Sequence, residues 1–302
     1  MACLFGYCGP PADGLLARMA ALLTHRCPLG WEQALGTTLT GDCVEIGHGR
    51  AAWNQSTQLA QQNHDLLGYG GVLFNLDAVT RQDVGTMPPA AQLLTQLADA
   101  LEPGLEALTG CFVLAVNMGD SFYLLRDPAG VKVVYWTICN GRLLFASEIK
   151  ALFAEPALPR RMRPGALPEY LSFSFVPGGG TMFEGIEELQ PGSLLHFRHG
   201  QARIRRHFRC EDWTDQAPYP SHSPDYPTLV RATLEQSVAE CLTVQPDKLP
   251  AVFLSGGIDS SAVLAVAAQQ LPDVRLPTFS AHFGAEYARE NEFIELMVDR
   301  YH

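Results

Sequence analysis

Ala251-Val-Phe-Leu-Ser-Gly-Gly-Ile-Asp-Ser-Ser-Ala-Val-Leu-Ala-Val-Ala-Ala-Gln269 is the stretch that decides how this chain is read. A short apolar strand runs into Ser255-Gly256-Gly257, and a helix is read from Ser260 to Gln270. Two glycines let the backbone turn sharply and bring its N–H groups against an anion, and the positive end of the following helix points at the same place. Ser255, Ser260 and Ser261 add hydroxyl donors for phosphate oxygens, and Asp259 can cap the helix or orient a magnesium ion. A bare Ser-Gly-Gly is equally a capped turn between any strand and helix. The full string favours a pyrophosphate cradle.

Outward from the loop, helix (Thr228 to Leu242), strand (Ala251 to Leu254), helix (Ser260 to Gln270), strand (Leu276 to Ala281) and helix (Glu286 to Tyr301) alternate as in a parallel sheet. Residues 228–302 are expected to be only the opening of such a domain, with apolar faces at Val263, Leu264, Val266, Ala267, Phe293, Leu296 and Met297 left uncovered. Upstream, Cys210 to Pro227 combines Pro218, Pro220 and Pro224 with polar residues, so a linker is placed at 211–227.

Residues 1–210 read as α plus β with mostly antiparallel sheets. Strands are expected at Gly71 to Asn75, Gly110 to Val116, Phe122 to Arg126, Val133 to Cys139 and Arg142 to Ala146, with tight turns at Met118-Gly119-Asp120 and Asn140-Gly141. A helix from Asp13 to Leu23 begins at an Asp cap and lines Leu15, Leu16, Met19, Leu22 and Leu23 on one face; another runs from Ala90 to Leu101. Phe112 to Val116 and Tyr170 to Phe175 alternate as core strands do.

A length of 302 residues suits two domains, and 47% hydrophobic with 18% charged residues suits a sizeable core. The formal charge of −11 and the lack of a Lys/Arg run argue against nucleic acid or anionic lipid as partners. No apolar run reaches the ~18 residues of a membrane span, and the start lacks a secretory pattern, so a soluble, cytoplasmic protein is expected. Eight scattered cysteines with no CxxC pair read as reduced thiols, and the nine histidines have no metal-ligand spacing.

The glycine loop resembles the PP-loop of the ATP pyrophosphatase superfamily. Arg126-Asp-Pro-Ala-Gly-Val-Lys132, Phe145-Ala-Ser-Glu-Ile-Lys-Ala-Leu152, Phe175-Val-Pro-Gly178, Thr181-Met-Phe-Glu-Gly-Ile186, Leu189-Gln-Pro-Gly192 and Thr278-Phe-Ser280 resemble, in order, the signatures of glutamine-hydrolysing asparagine synthetases. The resemblance is collinear from Met1 to His302. It implies an N-terminal-nucleophile-type four-layer sandwich that releases ammonia from glutamine, then an α/β PP-loop domain, adenine nucleotide alpha hydrolase-like, that adenylates aspartate with ATP and Mg2+. The implied ATP-binding residues are Leu254, Ser255, Gly256, Gly257, Asp259, Ser260, Ser261 and Ala281, with the adenine near Leu254 and Ala281 and Asp259 toward the magnesium ion. The implied partners are a small carboxylate, aspartate first, and an amine donor.

The glutaminase residues depart from the family. Its nucleophile is a cysteine directly after the initiator methionine, where the freed α-amino group acts as base. Here Ala2 holds that position, and Cys3, one residue late, falls on the other face of the first strand. Gly70-Gly71-Val72 replaces the family's Asn-Gly-Glu: Gly71 keeps a backbone donor for the oxyanion, but the side-chain donor and the carboxylate for the substrate ammonium are absent. Met87-Pro88-Pro89 stands where an acidic residue is expected, and His25-Arg26-Cys27-Pro28-Leu29, where the family has His-Arg-Gly-Pro-Asp, reads as a structural turn. Arg50 matches the arginine that grips the glutamine carboxylate. A degenerate glutaminase site is expected. The alternatives are a relative of the β-lactam synthetases or lasso-peptide cyclases, whose glutaminase domain is dead, and a non-catalytic chain that needs a second polypeptide to complete its synthetase domain, since the family's downstream acidic loop and second glycine-rich segment are not in this sequence.

Overall fold

The computed structural model describes residues 3–50, 59–75, 89–209, 211, 225–243, 249–282, 284 and 288–301. The chain falls into two compact units, Met1–Gln216 and Ala217–His302. Ala2, Met87, Pro88, Cys210 and most of the linker lie outside the described residues.

The first unit is built on two six-stranded sheets. One has the order β10-β8-β9-β1-β3-β2 and uses β1 (Leu4–Gly9), β2 (Trp31–Thr37), β3 (Cys43–Gly49), β8 (Tyr135–Cys139), β9 (Arg142–Ala146) and β10 (Glu187–Glu188). The other has the order β12-β11-β7-β6-β5-β4 and uses β4 (Leu59–Gln62), β5 (Asp65–Leu73), β6 (Gly110–Met118), β7 (Ser121–Arg126), β11 (Ser193–Arg198) and β12 (Gln201–Arg206). Every pairing within both sheets is antiparallel.

Successive side chains on these strands enter different cores. Leu4, Ile46, Val113, Ala115, Phe122, Leu124, Phe145 and Leu195 fill the layer between the sheets. Phe5, Tyr7 and Leu144 face the opposite way, toward α1 (Leu15–Ala21) and α4 (Ile149–Leu152), while Phe112, Leu114, Val116, Tyr123 and Leu125 face α2 (Pro89–Asp99) and α3 (Leu101–Glu106). This is a helix–sheet–sheet–helix sandwich. It explains why Phe112 to Val116 is apolar without interruption: both faces of the sheet are buried, as alternation toward solvent on one face would not allow.

Two expectations are corrected. The first helix starts at Gly14, a left-handed N-cap at φ +64 with no side-chain cap, so Asp13 does not cap it; there the backbone geometry demands glycine. Tyr170 to Phe175 is not a core strand. Tyr170 to Phe173 are the last turn of α5 (Ala166–Phe173), which ends at Ser174 with φ +62, and Leu171, Phe173 and Phe175 face outward. β2 to β4 lie outside the expected strands because glycines, cysteines and polar residues interrupt their apolar runs, although β2 with β3 and β4 with β5 pair as local hairpins.

The second unit contains α6 (Tyr226–Thr243), β13 (Val252–Phe253), α7 (Ile258–Gln270), β14 (Thr278–Phe279) and α8 (Ala288–Tyr301). β13 and β14 pair in parallel, Val252 opposite Thr278 and Phe253 opposite Phe279. Val238, Leu254, Leu264, Val266, Ala267 and Leu276 form its core, joined by Ile294, Met297 and Val298. The expected uncovered faces are thus corrected in part: Leu264, Val266 and Ala267 are buried and Met297 packs on the core, whereas Val263, Phe293 and Leu296 are exposed.

Candidate functional site

The loop between β13 and α7 takes its shape from its glycines and serines. Gly256 sits at φ +82, a conformation L side chains rarely adopt, and Gly257 is the N-cap of α7 with no side-chain cap. The cap is therefore Gly257, and Asp259 stands in the first helical turn, exposed, where a carboxylate suits the positive end of the helix. Ser255 Oγ lies 3.1 Å from Ser260 Oγ, and Ser260 Oγ accepts the Ser255 N–H at 3.2 Å and donates to the Gly257 carbonyl at 3.2 Å. The two hydroxyls tie the loop to itself while remaining exposed. The Ser261 N–H donates to the Gly257 carbonyl at 3.1 Å and closes the first turn.

Leu254 is buried in the core of its unit and donates its N–H to the Phe279 carbonyl at 2.9 Å, so its side chain is engaged away from the loop. Ala281 is exposed two residues beyond β14. The residues expected to cradle phosphate, Ser255 to Ser261, are therefore brought together on one loop and helix start. No cluster of three or more His, Cys, Asp or Glu side chains suited to a metal occurs among the described residues.

The region where a glutaminase site is expected is arranged differently. Gly70 lies against Leu4, and with Arg26, Val113, Val131, Lys132, Val133 and Ser147 it lines a cavity of about 220 Å³ at the end of the inter-sheet layer. Ser147 pins the start of β1, accepting the Leu4 N–H at 3.0 Å and donating to the Leu4 carbonyl at 3.1 Å. Cys3 does not line this cavity. It is fully buried on the other side of the sheet with Phe5, Leu15, Met19 and Cys27, as strand alternation requires. Its thiol is pushed up from the ordinary cysteine value, first by the hydrogen bond it makes to Cys27 and then by burial.

Gly71 is opposite Phe112 in the β5–β6 ladder at φ +125, where a Cβ would come within 2.1 Å of the Cys111 carbonyl, so the ladder itself demands glycine there. Arg50 is half-exposed, its Nε 3.3 Å from Glu32 Oε1. His25, Arg26 and Lys150 all pair with Glu148, which joins two of the sequence signatures as a structural cluster. The pairing of Cys3 with Cys27, Sγ to Sγ 3.0 Å, was not legible from cysteine spacing; the signal available was that both cysteines occupy positions where the sequence departs from the family pattern.

The architecture defines an N-terminal-nucleophile-type sandwich followed by a strand–glycine loop–helix of the PP-loop kind. Residues 1–208 match the glutamine amidotransferase domain family and residues 229–302 match the asparagine synthase family. The chain belongs to the glutamine amidotransferase domain family, and its last part carries the match to the asparagine synthase family. It is 30% identical over 216 residues to asparagine synthetase [glutamine-hydrolyzing] 1 of Bacillus subtilis, covering 70% of this chain and 31% of that protein. It is 31% identical over 310 residues to a putative asparagine synthetase [glutamine-hydrolyzing] of Mycobacterium bovis, covering 92% and 45%. This chain thus spans less than half of the length of these relatives. A solved glutamine phosphoribosylpyrophosphate amidotransferase from B. subtilis, complexed with ADP and GMP, is 17% identical with a TM-score of 0.49, covering 94% of this chain and 68% of that one. Among the described residues, no helix is long and apolar enough to cross a membrane.

Proposed function

We propose that the second unit binds the phosphates of ATP at Ser255 to Ser261 as part of an asparagine synthetase-like amide ligase, and that the first unit is a glutaminase-type scaffold without glutaminase activity. The observation that carries the nucleotide reading is the loop itself: Gly256 at φ +82 and Gly257 as N-cap bring bare backbone to the start of a 13-residue helix beside two exposed serine hydroxyls. Such a helix start attracts anions through its free N–H groups and dipole. In an adenylation, negative charge builds on the departing pyrophosphate, and fixed N–H donors at that place lower the barrier. Ser255 and Ser260 would exchange their mutual hydrogen bond for phosphate oxygens, and Asp259, exposed in the first turn, would be the carboxylate to meet a magnesium ion that offsets the phosphate charge.

Aspartate is the proposed carboxylate and ammonia or another amine the proposed nitrogen source, on the strength of the relatives' names and the altered glutaminase residues. The substitution of Ala2 at the nucleophile position, the burial of Cys3 away from the cavity and Val72 in place of a carboxylate all weigh against glutamine hydrolysis.

A second reading, that a further polypeptide segment completes the synthetase sheet, is favoured by the surface of β13 and β14. Phe253 is 84% exposed, its ring tilted against that of the exposed Phe279 with centroids 6.1 Å apart, and Ile258 at the start of α7 is 85% exposed. Parallel sheets are ordinarily covered on both faces by helices, so a segment that packs over this face would bury those rings. The test is calorimetric titration of the 302-residue chain with Mg·ATP, then ATP–pyrophosphate exchange with a panel of carboxylates. Binding that is abolished by Gly256→Val is the expected result; unchanged affinity in that variant overturns the loop assignment.

A further inference from the structure

We infer that Cys3 and Cys27 form a reversible intramolecular disulfide when the protein meets an oxidising low-molecular-weight disulfide. The two sulfurs lie 3.0 Å apart, about 1 Å beyond the ~2.05 Å of a disulfide bond, although 24 positions separate them in sequence. Their meeting is built by backbone. Gly49 donates its N–H to the Cys3 carbonyl at 2.8 Å, and the turn that carries Cys27 is tied to Arg50, the residue that follows β3, with Arg50 N–H donating to the Gly30 carbonyl at 2.9 Å and Leu29 N–H to the Arg50 carbonyl at 3.3 Å. Both thiols therefore converge over Gly49. A Cβ at that position would stand 2.2 Å from Cys27 Sγ and 2.5 Å from Cys3 Sγ, so glycine is what leaves the space that the two sulfurs share.

The two thiols are not equivalent. Cys3 has no exposed surface, whereas Cys27 keeps 8% and sits in a turn whose next residues, Pro28, Leu29 and Gly30, are exposed. The hydrogen bond from Cys3 lowers the Cys27 thiol from its ordinary value against the effect of burial, and the Arg26 charge adds to the lowering. Cys27 is thus the attacking group and Cys3 the resolving one. Cys27 thiolate attacks one sulfur of the oxidant; that S–S bond breaks, the first small thiolate leaves and takes up a proton, and a mixed disulfide remains on Cys27. Cys3 then loses its proton and attacks Cys27 Sγ, expelling the second small thiolate. Two protein thiols are oxidised by two electrons and one small disulfide is reduced to two thiols. The product staples the residue before β1 to the turn before β2.

The experiment equilibrates the full chain in glutathione buffers of rising oxidised fraction, quenches with an alkylating reagent in denaturant, so that buried thiols are reached, and maps peptides without reduction. The expected result is a peptide pair joined through Cys3 and Cys27 that appears as the buffer becomes oxidising and is lost again on adding a dithiol. In Cys27→Ser, Cys3 should stay alkylatable across the series. Survival of Cys3 and Cys27 as separate thiols in buffers where the exposed Cys241 already carries glutathione would overturn the inference. So would a glutathione adduct on Cys27 that Cys3 never displaces.

Discussion

Arg126 Nη1 donates to Glu188 Oε1 at 2.7 Å from a guanidinium that is almost wholly buried. The same group donates to the carbonyls of Lys132 at 2.6 Å, Leu189 at 2.6 Å and Gly130 at 2.9 Å, while Asp127 accepts the N–H groups of Val131 and Lys132. The Arg-Asp-Pro-Ala-Gly signature is therefore a folded knot that fixes the chain between β7 and β8 to the segment entering β11. Arg126→Ala leaves Glu188 and three carbonyls without their donor, and a stability loss of about 3–5 kcal/mol is expected in urea unfolding of the first unit. Nucleotide affinity should be unchanged, which calorimetry on the same variant checks.

Glu148 gives the acid side of stability. Burial raises its carboxyl, but hydrogen bonds from His25, Arg26 and Lys150 outweigh this and hold it below the ordinary value of 4.5. A carboxylate lowered in the folded state stabilises fully above its unfolded value, and that contribution is lost as pH falls through the folded value. Stability should therefore decline below about pH 4.5 more steeply in the native chain than in Glu148→Gln. Thermal melts across an acid series read the difference; parallel declines would remove Glu148 from the account.

What could be read from the sequence follows physical type. The loop from Ser255 to Ser261 was legible because backbone torsion and helix start are written in adjacent residues. The hairpin at Asn140-Gly141 was legible for the same reason: its two residues have φ +53 and +71, as a two-residue turn needs. Tyr170 to Phe175 misled because Tyr-Leu-Ser-Phe-Ser-Phe has period-2 alternation, yet Gly165 and Ser174 set the ends of a helix there. Cys3 and Cys27 could not be paired from spacing, since the contact depends on β1, β3 and the turn before β2 meeting at Gly49.

Glutamate release from glutamine should be indistinguishable from background in the purified chain. Cys3 is buried with its thiol raised, it faces away from the cavity that adjoins Gly70, and Val72 offers no carboxylate to a substrate ammonium. Cys3→Ser should leave that background unchanged. Hydrolysis that vanishes in Cys3→Ser would instead make Cys3 the nucleophile.

Gly49 supplies the sharpest test of how the first unit holds its two thiols. Its φ is not in the left-handed region, so replacement by alanine meets no backbone strain, and the whole cost is steric. A Cβ there contacts Cys27 Sγ, Cys3 Sγ and, at 3.3 Å, Cys27 Cβ, inside a core that also holds Phe5 and Met19. Overpacking of this kind costs about 1–3 kcal/mol. Cys27→Gly removes two of the three clashing atoms, at its own cost in lost packing and added backbone freedom. The double variant should therefore be more stable than the sum of the two single losses predicts, with a coupling of about 0.5–3 kcal/mol in its favour. Denaturant unfolding of the four proteins of the cycle measures it. Strict additivity would mean that the turn carrying Cys27 moves aside without cost, and that the sulfurs are not held over Gly49 by the strand and turn hydrogen bonds.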